Sequence, residues 1–103
     1  MSGKVSNYNF EWDPKKAKQN IKKHKVSFER AATVFLDSNA LTIYDEEHAE
    51  IEDRWITIGM DKAANLIVVC HTFHPVENDN FQIRVISARK PTKTEIMQYK
   101  ELL

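Results

Sequence analysis

Apolar and polar residues alternate most clearly along Asn80–Lys90, N-F-Q-I-R-V-I-S-A-R-K. Phe81, Ile83 and Val85 form one row and Gln82, Arg84 and Ile86 the other, so the segment predicts a strand with Arg84 on its non-core face. Pro91–Leu103 then follows with helical composition. Toward the N-terminus, Tyr8, Phe10 and Trp12 alternate with polar residues and predict a short aromatic strand. Asp13-Pro14 is a helix-start signal, with Asp as cap and Pro at the first helical position. It opens a helix over Lys15–Lys25 whose thin apolar stripe is Ala17 and Ile21. Ser27 caps a second helix, whose apolar face is Phe28, Ala31, Ala32, Phe35 and Leu36.

Further along, Ala40–Tyr44 and Arg54–Met60 read as strands, and Asp61–Asn65 turns the chain into Leu66–Phe73. The apolar run Leu66–Cys70 does not alternate, which predicts a central strand covered on both faces. Asp45–Asp53 has little to bury besides Ile51 and reads as a surface loop or a marginal helical turn. The expected fold class is α+β: a small antiparallel sheet of about four strands, two N-terminal helices and a C-terminal helix. Residues 1–7 read as a flexible leader and residues 8–103 as a single domain.

Composition narrows the class of function. No apolar run approaches the roughly 20 residues that span a bilayer, and the N-terminus lacks the apolar centre of a signal peptide, so the expected location is cytoplasmic, with no membrane partner. Cys70, the only cysteine, lies in an apolar run and reads as a small buried hydrophobe. Net charge is zero, but its distribution is uneven. Pro14–Arg30 carries seven Lys or Arg against one Glu, Asp37–Asp53 carries seven acids and no Lys or Arg, and the segment after Asn80 is again basic. Were the two basic segments to meet in the fold, they would attract an anion such as RNA despite the neutral total. The bland alternative is that the lysines solvate helix faces.

Several segments together resemble the BrnT toxins of bacterial type II toxin–antitoxin modules. They are F-E-W-D-P at Phe10–Pro14, N-I-K-K-H at Asn20–His24, V-S-F-E-R-A-A-T-V-F at Val26–Phe35, R-W-I-T-I-G at Arg54–Gly59 and I-S-A-R at Ile86–Arg89. No one of them is diagnostic, whereas the ordered set is specific. The resemblance implies a RelE-like fold and an RNA-cleaving toxin that inhibits translation. It also implies a BrnA-type antitoxin partner, whose ribbon-helix-helix part would make the only contact with operator DNA. Three departures stand out. Lys25 occupies a position usually held by Gly, the stretch after Arg89 is less basic, and the loop His74–Asp79 is longer.

Metal-independent RNA cleavage needs a group to take the 2′-hydroxyl proton, cations for the phosphate and an acid for the leaving oxygen. Arg89, Arg54 and Arg84 offer guanidinium forks for phosphate oxygens; their alternative is salt bridging to the acidic loop or a helix terminus. His24, in the Lys-His pair the resemblance supplies, is the acid–base candidate, and a helix-end histidine bonded to carbonyls is the other reading. Lys22, Lys23, Lys90 and His71 are candidate substrate-binding residues, although a strand histidine such as His71 is often simply satisfied by a hydrogen bond. Glu52 and Glu95 rank below the histidines, because carboxylates repel phosphate. His71 with His74, or His48 near Glu50 and Glu52, gives only a weak metal pattern, and neither a metal nor a cofactor is expected. The rival reading is a non-catalytic interaction protein that binds an antitoxin-like, DNA-binding partner and modulates its operator binding.

Overall fold

The computed structural model describes residues 7–48 and 52–101. In chain order the elements are β1 (Asn7–Glu11), α1 (Pro14–His24), α2 (Phe28–Thr33), β2 (Leu41–Tyr44), β3 (Trp55–Met60), β4 (Leu66–His71), β5 (His74–Pro75), β6 (Asn80–Arg89) and α3 (Lys93–Glu101). Short 3-10 turns occupy Val34–Leu36 and Glu46–His48. Most of the expected leader lies outside the described residues, and its last residue, Asn7, already begins β1. The middle of the acidic segment, residues 49–51, is likewise outside them.

Local signals explain the helix boundaries. The Lys15 amide donates to Asp13 Oδ1 at 2.8 Å, and Pro14 supplies the first helical residue of α1. The helix ends at Lys25, whose φ of 60° and ψ of 27° are left-handed, with its amide donating to the Ile21 carbonyl at 3.0 Å. Ser27 Oγ accepts from the Arg30 amide at 3.1 Å and starts α2. The expected single helix through Leu36 instead tightens into a 3-10 turn after Thr33, which keeps Val34 buried while Leu36 stays exposed.

The sheet differs from the expected four antiparallel strands. It has six, in the order β1-β6-β4-β3-β2 with β5 pairing β6, and it is mixed, because β1 runs parallel to β6 from Asn7↔Asn80 to Glu11↔Arg84. The intervening chain returns as a long crossover, so the first strand can lie alongside the last in the same direction. One face is covered by α1 and α2, where Phe28, Ala31 and Val34 pack on Ile67, Val69, Val85 and Ala88. On the other face Tyr99 of α3 packs with Ile58 and Val68. The central strand β4 is covered on both sides, as its unbroken apolar run predicts.

Three polar anchors, the buried Asn20 and Asp61 and the half-buried Asp37, hold these layers in place. Asn20 of α1 donates to the carbonyls of Val26 (2.8 Å) and Ala88 (2.9 Å) and accepts from the Ala88 amide (3.1 Å), tying the helix to the end of β6. Asp37 Oδ2 accepts from the Tyr99 hydroxyl at 2.6 Å and the Met60 amide at 2.9 Å, which fastens α3 across the sheet edge. Asp61 receives Arg30 through Nε at 3.0 Å and an η nitrogen at 2.8 Å. A Cβ at Gly59 would meet Val34 Cγ1 at 2.8 Å, so only glycine lets the 3-10 turn approach β3 this closely. At the open end of the sheet a row of rings, Tyr44, Trp55, Phe73, Phe81 and Tyr8, runs from β2 to β1 with neighbouring centroids 4.7–6.5 Å apart.

Candidate active site

Strand alternation sorts the candidate side chains by face. In β4, Ile67, Val69 and His71 face α1 and α2, whereas Val68 and Cys70 face the opposite way. In β6, Val85 and Ala88 join the helix-covered core. Against β4 the register shifts between Cys70 and His71, pairing Cys70 with Ser87 and His71 with Val85. Ile86 is thereby the extra residue of a bulge, and both Ile86 and Ser87 line the non-helical side together with Arg89.

That side holds a cleft of about 250 Å³ lined by Arg54, Arg89, Cys70, Ser87, Asp45 and His48 over a floor of Ile56, Val68 and Ile86. Arg89 donates to both oxygens of Glu95, at 2.8 and 2.9 Å, and this bidentate pairing holds the guanidinium charged and its pKa above the ordinary value. The same hydrogen bonds pull the Glu95 carboxyl down to about 2. Glu95 also accepts from the Thr92 amide at 2.8 Å, while its own amide donates to Thr92 Oγ1 at 3.2 Å, a reciprocal cap that starts α3. Arg89 keeps its Nε–H and one further η hydrogen for a ligand. Arg54 stands 4.0 Å from Glu52, its side chain is 31% exposed, and its buried Nε has no hydrogen-bond partner, the one such side-chain atom among the described residues. Glu52 is also the ion-pair partner of Arg84, so one carboxylate links the two arginines.

His48, at the rim, is 62% exposed, with Nδ1 2.9 Å from Asp45 Oδ2. The carboxylate accepts the Nδ1 proton and leaves Nε2 as the free acid–base atom. Cys70 accompanies Ser87 in the wall, and burial pushes its thiol pKa up, which keeps it protonated.

Of the sequence candidates, Arg54 and Arg89 meet in this cleft. Arg84 sits outside its lining, on the same face, paired to Glu52. His71 lies on the other face, 0% exposed, with its ring edge-on to Phe35 at 4.9 Å between centroids. Its Nδ1–H donates to the Thr72 carbonyl at 2.8 Å and its Nε2 lies 2.7 Å from Thr57 Oγ1. Burial lowers its pKa to about 4, so the ring is neutral and Nε2 accepts from the Thr57 hydroxyl. It is therefore a satisfied core histidine, with no atom turned to a substrate. His24, Lys22 and Lys23 form the end of α1 on the helix-covered face and do not line the cleft. Lys90, just beyond Arg89, opens onto a different groove. His48 stands out in the sequence only as a weak metal pattern; the signal for its pairing with Asp45 is the Asp45-x-x-His48 spacing in the acidic run. Among the described residues no group of three or more His, Cys, Asp or Glu side chains is placed to hold a metal, and no helix is long and apolar enough to cross a membrane.

A family model described as the ribonuclease toxin, BrnT, of type II toxin–antitoxin systems matches residues 12–95. The chain belongs to the BrnT family. The match takes in every element from α1 to β6 and reaches Glu95 in α3. Among solved structures, the BrnT ribonuclease toxin of Brucella abortus superposes with a TM-score of 0.59 at 23% identity, covering 85% of this chain and 100% of that one. That likeness gives BrnT-like architecture to the mixed sheet and its three helices. No curated protein matches the sequence. Membership in a type II toxin–antitoxin family gives the chain an antitoxin as its partner.

Proposed function

We propose that this BrnT-family toxin cleaves RNA without a metal ion, in the cleft between Arg54 and Arg89. The observation that carries the reading is the convergence of those two guanidinium groups with the His48–Asp45 pair on one small, open cleft. His48 Nε2 takes the proton of the 2′-hydroxyl, O2′ attacks the adjacent phosphorus, and the bond to the 5′-oxygen breaks. Water protonates the departing oxygen. The products are a 2′,3′-cyclic phosphate and a 5′-hydroxyl. Arg89 and Arg54 face the phosphate, where their charge meets the negative charge that grows in the transition state. Arg84 acts through Glu52, holding that carboxylate away from the phosphate. The sheet with two helices on one face and a C-terminal helix on the other supports a RelE-like relationship.

The partner in this reading is a BrnA-type antitoxin with a ribbon-helix-helix part, through which alone the complex reaches operator DNA; toxin, antitoxin and RNA meet in the cytoplasm. The acidic stretch around Asp45–Asp53 suits a basic segment of that partner. One observation favours a non-catalytic interaction protein instead: Arg84 and Arg89 are already paired to Glu52 and Glu95. Cleavage of single-stranded RNA by antitoxin-free protein in excess chelator, beside the 2′-deoxy analogue, separates the two. The toxin reading expects scission of the RNA alone and a loss of about 10²–10³-fold in rate for Arg89→Ala, with circular dichroism unchanged. A folded Arg89→Ala protein with full activity refutes that assignment, and an intact RNA in all reactions favours the binding protein.

A further inference from the structure

Beyond the end of the sheet lies a larger groove, about 520 Å³, with a different character. Its cations are Lys25 from the turn after α1, Arg30 from α2 and Lys90 from the exit of β6, and among the described residues no acidic side chain lines it. The two basic stretches of the sequence, separate along the chain, thus meet here. Between the cations the floor is apolar, made by Val26, Leu66, Ile67, Pro91 and Ile96. Arg30 is fixed rather than mobile: Asp61 takes its Nε and one η nitrogen, and the other η nitrogen donates to the Lys25 carbonyl at 3.3 Å. Lys25 and Lys90 are exposed and extend the positive edge.

The groove and the cleft share a wall. Arg89 enters the cleft and Lys90, one residue on, enters the groove. In α3, Glu95 pairs with Arg89 and the next residue, Ile96, lines the groove. The two openings are therefore neighbours along the chain at Arg89–Lys90 and Glu95–Ile96.

We propose that this groove is an anchoring subsite for single-stranded RNA, taking a nucleotide that flanks the one cleaved. Lys25 and Lys90 hold its phosphate and the apolar floor holds its base. The inference rests on the ribonuclease reading and adds to it a second point of attachment. Single-strand binding sites combine cations that follow the backbone with a surface that accepts a base of any sequence; here that surface is aliphatic, and the base packs on it by apolar contact.

The test is an NMR titration of the ¹⁵N-labelled, antitoxin-free protein with a ten-nucleotide single-stranded RNA made uncleavable by 2′-O-methylation. Amide shifts are expected at Lys25, Asn65, Ile67 and Ile96 together with those at Arg54 and Arg89. Lys25→Glu is expected to weaken binding roughly tenfold and flatten its salt dependence by about one phosphate contact, with the shifts at Arg54 and Arg89 retained. Shifts confined to the cleft, or affinity unchanged in Lys25→Glu, overturn the subsite and leave the ribonuclease reading standing. Absence of shifts in both places overturns both. A decaglutamate peptide that binds the groove more tightly than the RNA overturns the inference in favour of an acidic protein partner.

Discussion

Lys25 carries a side chain where the backbone turns left-handed, a conformation that costs a non-glycine residue roughly 1 kcal/mol. Lys25→Gly is therefore expected to raise unfolding free energy by up to about 1 kcal/mol in urea titrations, less whatever the freer unfolded chain takes back. The same side chain lines the groove beyond the cleft. His71 and Glu95 set how stability varies with pH. The folded state holds His71 near 4 against an ordinary 6.5, so between those values the unfolded chain binds the extra proton and stability falls as pH falls. Glu95, at about 2 against 4.5, adds a second loss in the lower window, where its pairing with Arg89 is protonated away; Asp37 and Asp61, both held below their ordinary values against the pull of burial, add to it. Unfolding measured from pH 7 to pH 2 should show both stages, with Glu95→Gln lowering stability at pH 7 and flattening only the lower one.

At the scale of elements, the end of β6 is held from both sides. Asn20 fixes Ala88 from α1, and Glu95 fixes Arg89 from α3. Asn20→Ala leaves the buried amide and carbonyl of Ala88 without those partners, and a loss of about 2–4 kcal/mol is expected by chemical denaturation. Weaker phosphate binding at Arg89 should accompany it, because the strand end is no longer set. Helix starts, the turn at Asp61–Asn65 and the central strand are legible in the sequence, since each follows from a few neighbouring residues: Asp13-Pro14, Ser27, the run Leu66–Cys70. The parallel place of β1 and the two-residue β5 are not, because strand pairing depends on residues far away along the chain. The site divides in the same way. Arg54 and Arg89 stand out as single residues in strands, but which face each strand histidine takes depends on register, and that sends His71 into the core.

For the whole molecule, a net charge of zero means that long-range attraction to RNA is weak and that affinity must come from local groups. With Arg54 and Arg89 at one phosphate in the cleft and Lys25 and Lys90 at a second beyond it, about two phosphate contacts are expected. The logarithmic salt slope for a single strand is then about −1.4, to be read from fluorescence anisotropy across a salt series. A slope near zero would mean that Arg54 and Arg89 stay bound to Glu52 and Glu95 and that the lysines take no phosphate. The pairing of β1 with β6 carries a consequence for how the toxin is made. The first strand, Asn7–Glu11, finds its neighbour in Asn80–Arg84, so the sheet cannot close while the ribosome is still adding β6. Of the residues that line the cleft Arg89 is supplied last, and its partner Glu95 follows it, as does Tyr99. A nascent chain that has not yet received β6 and α3 thus has no assembled cleft.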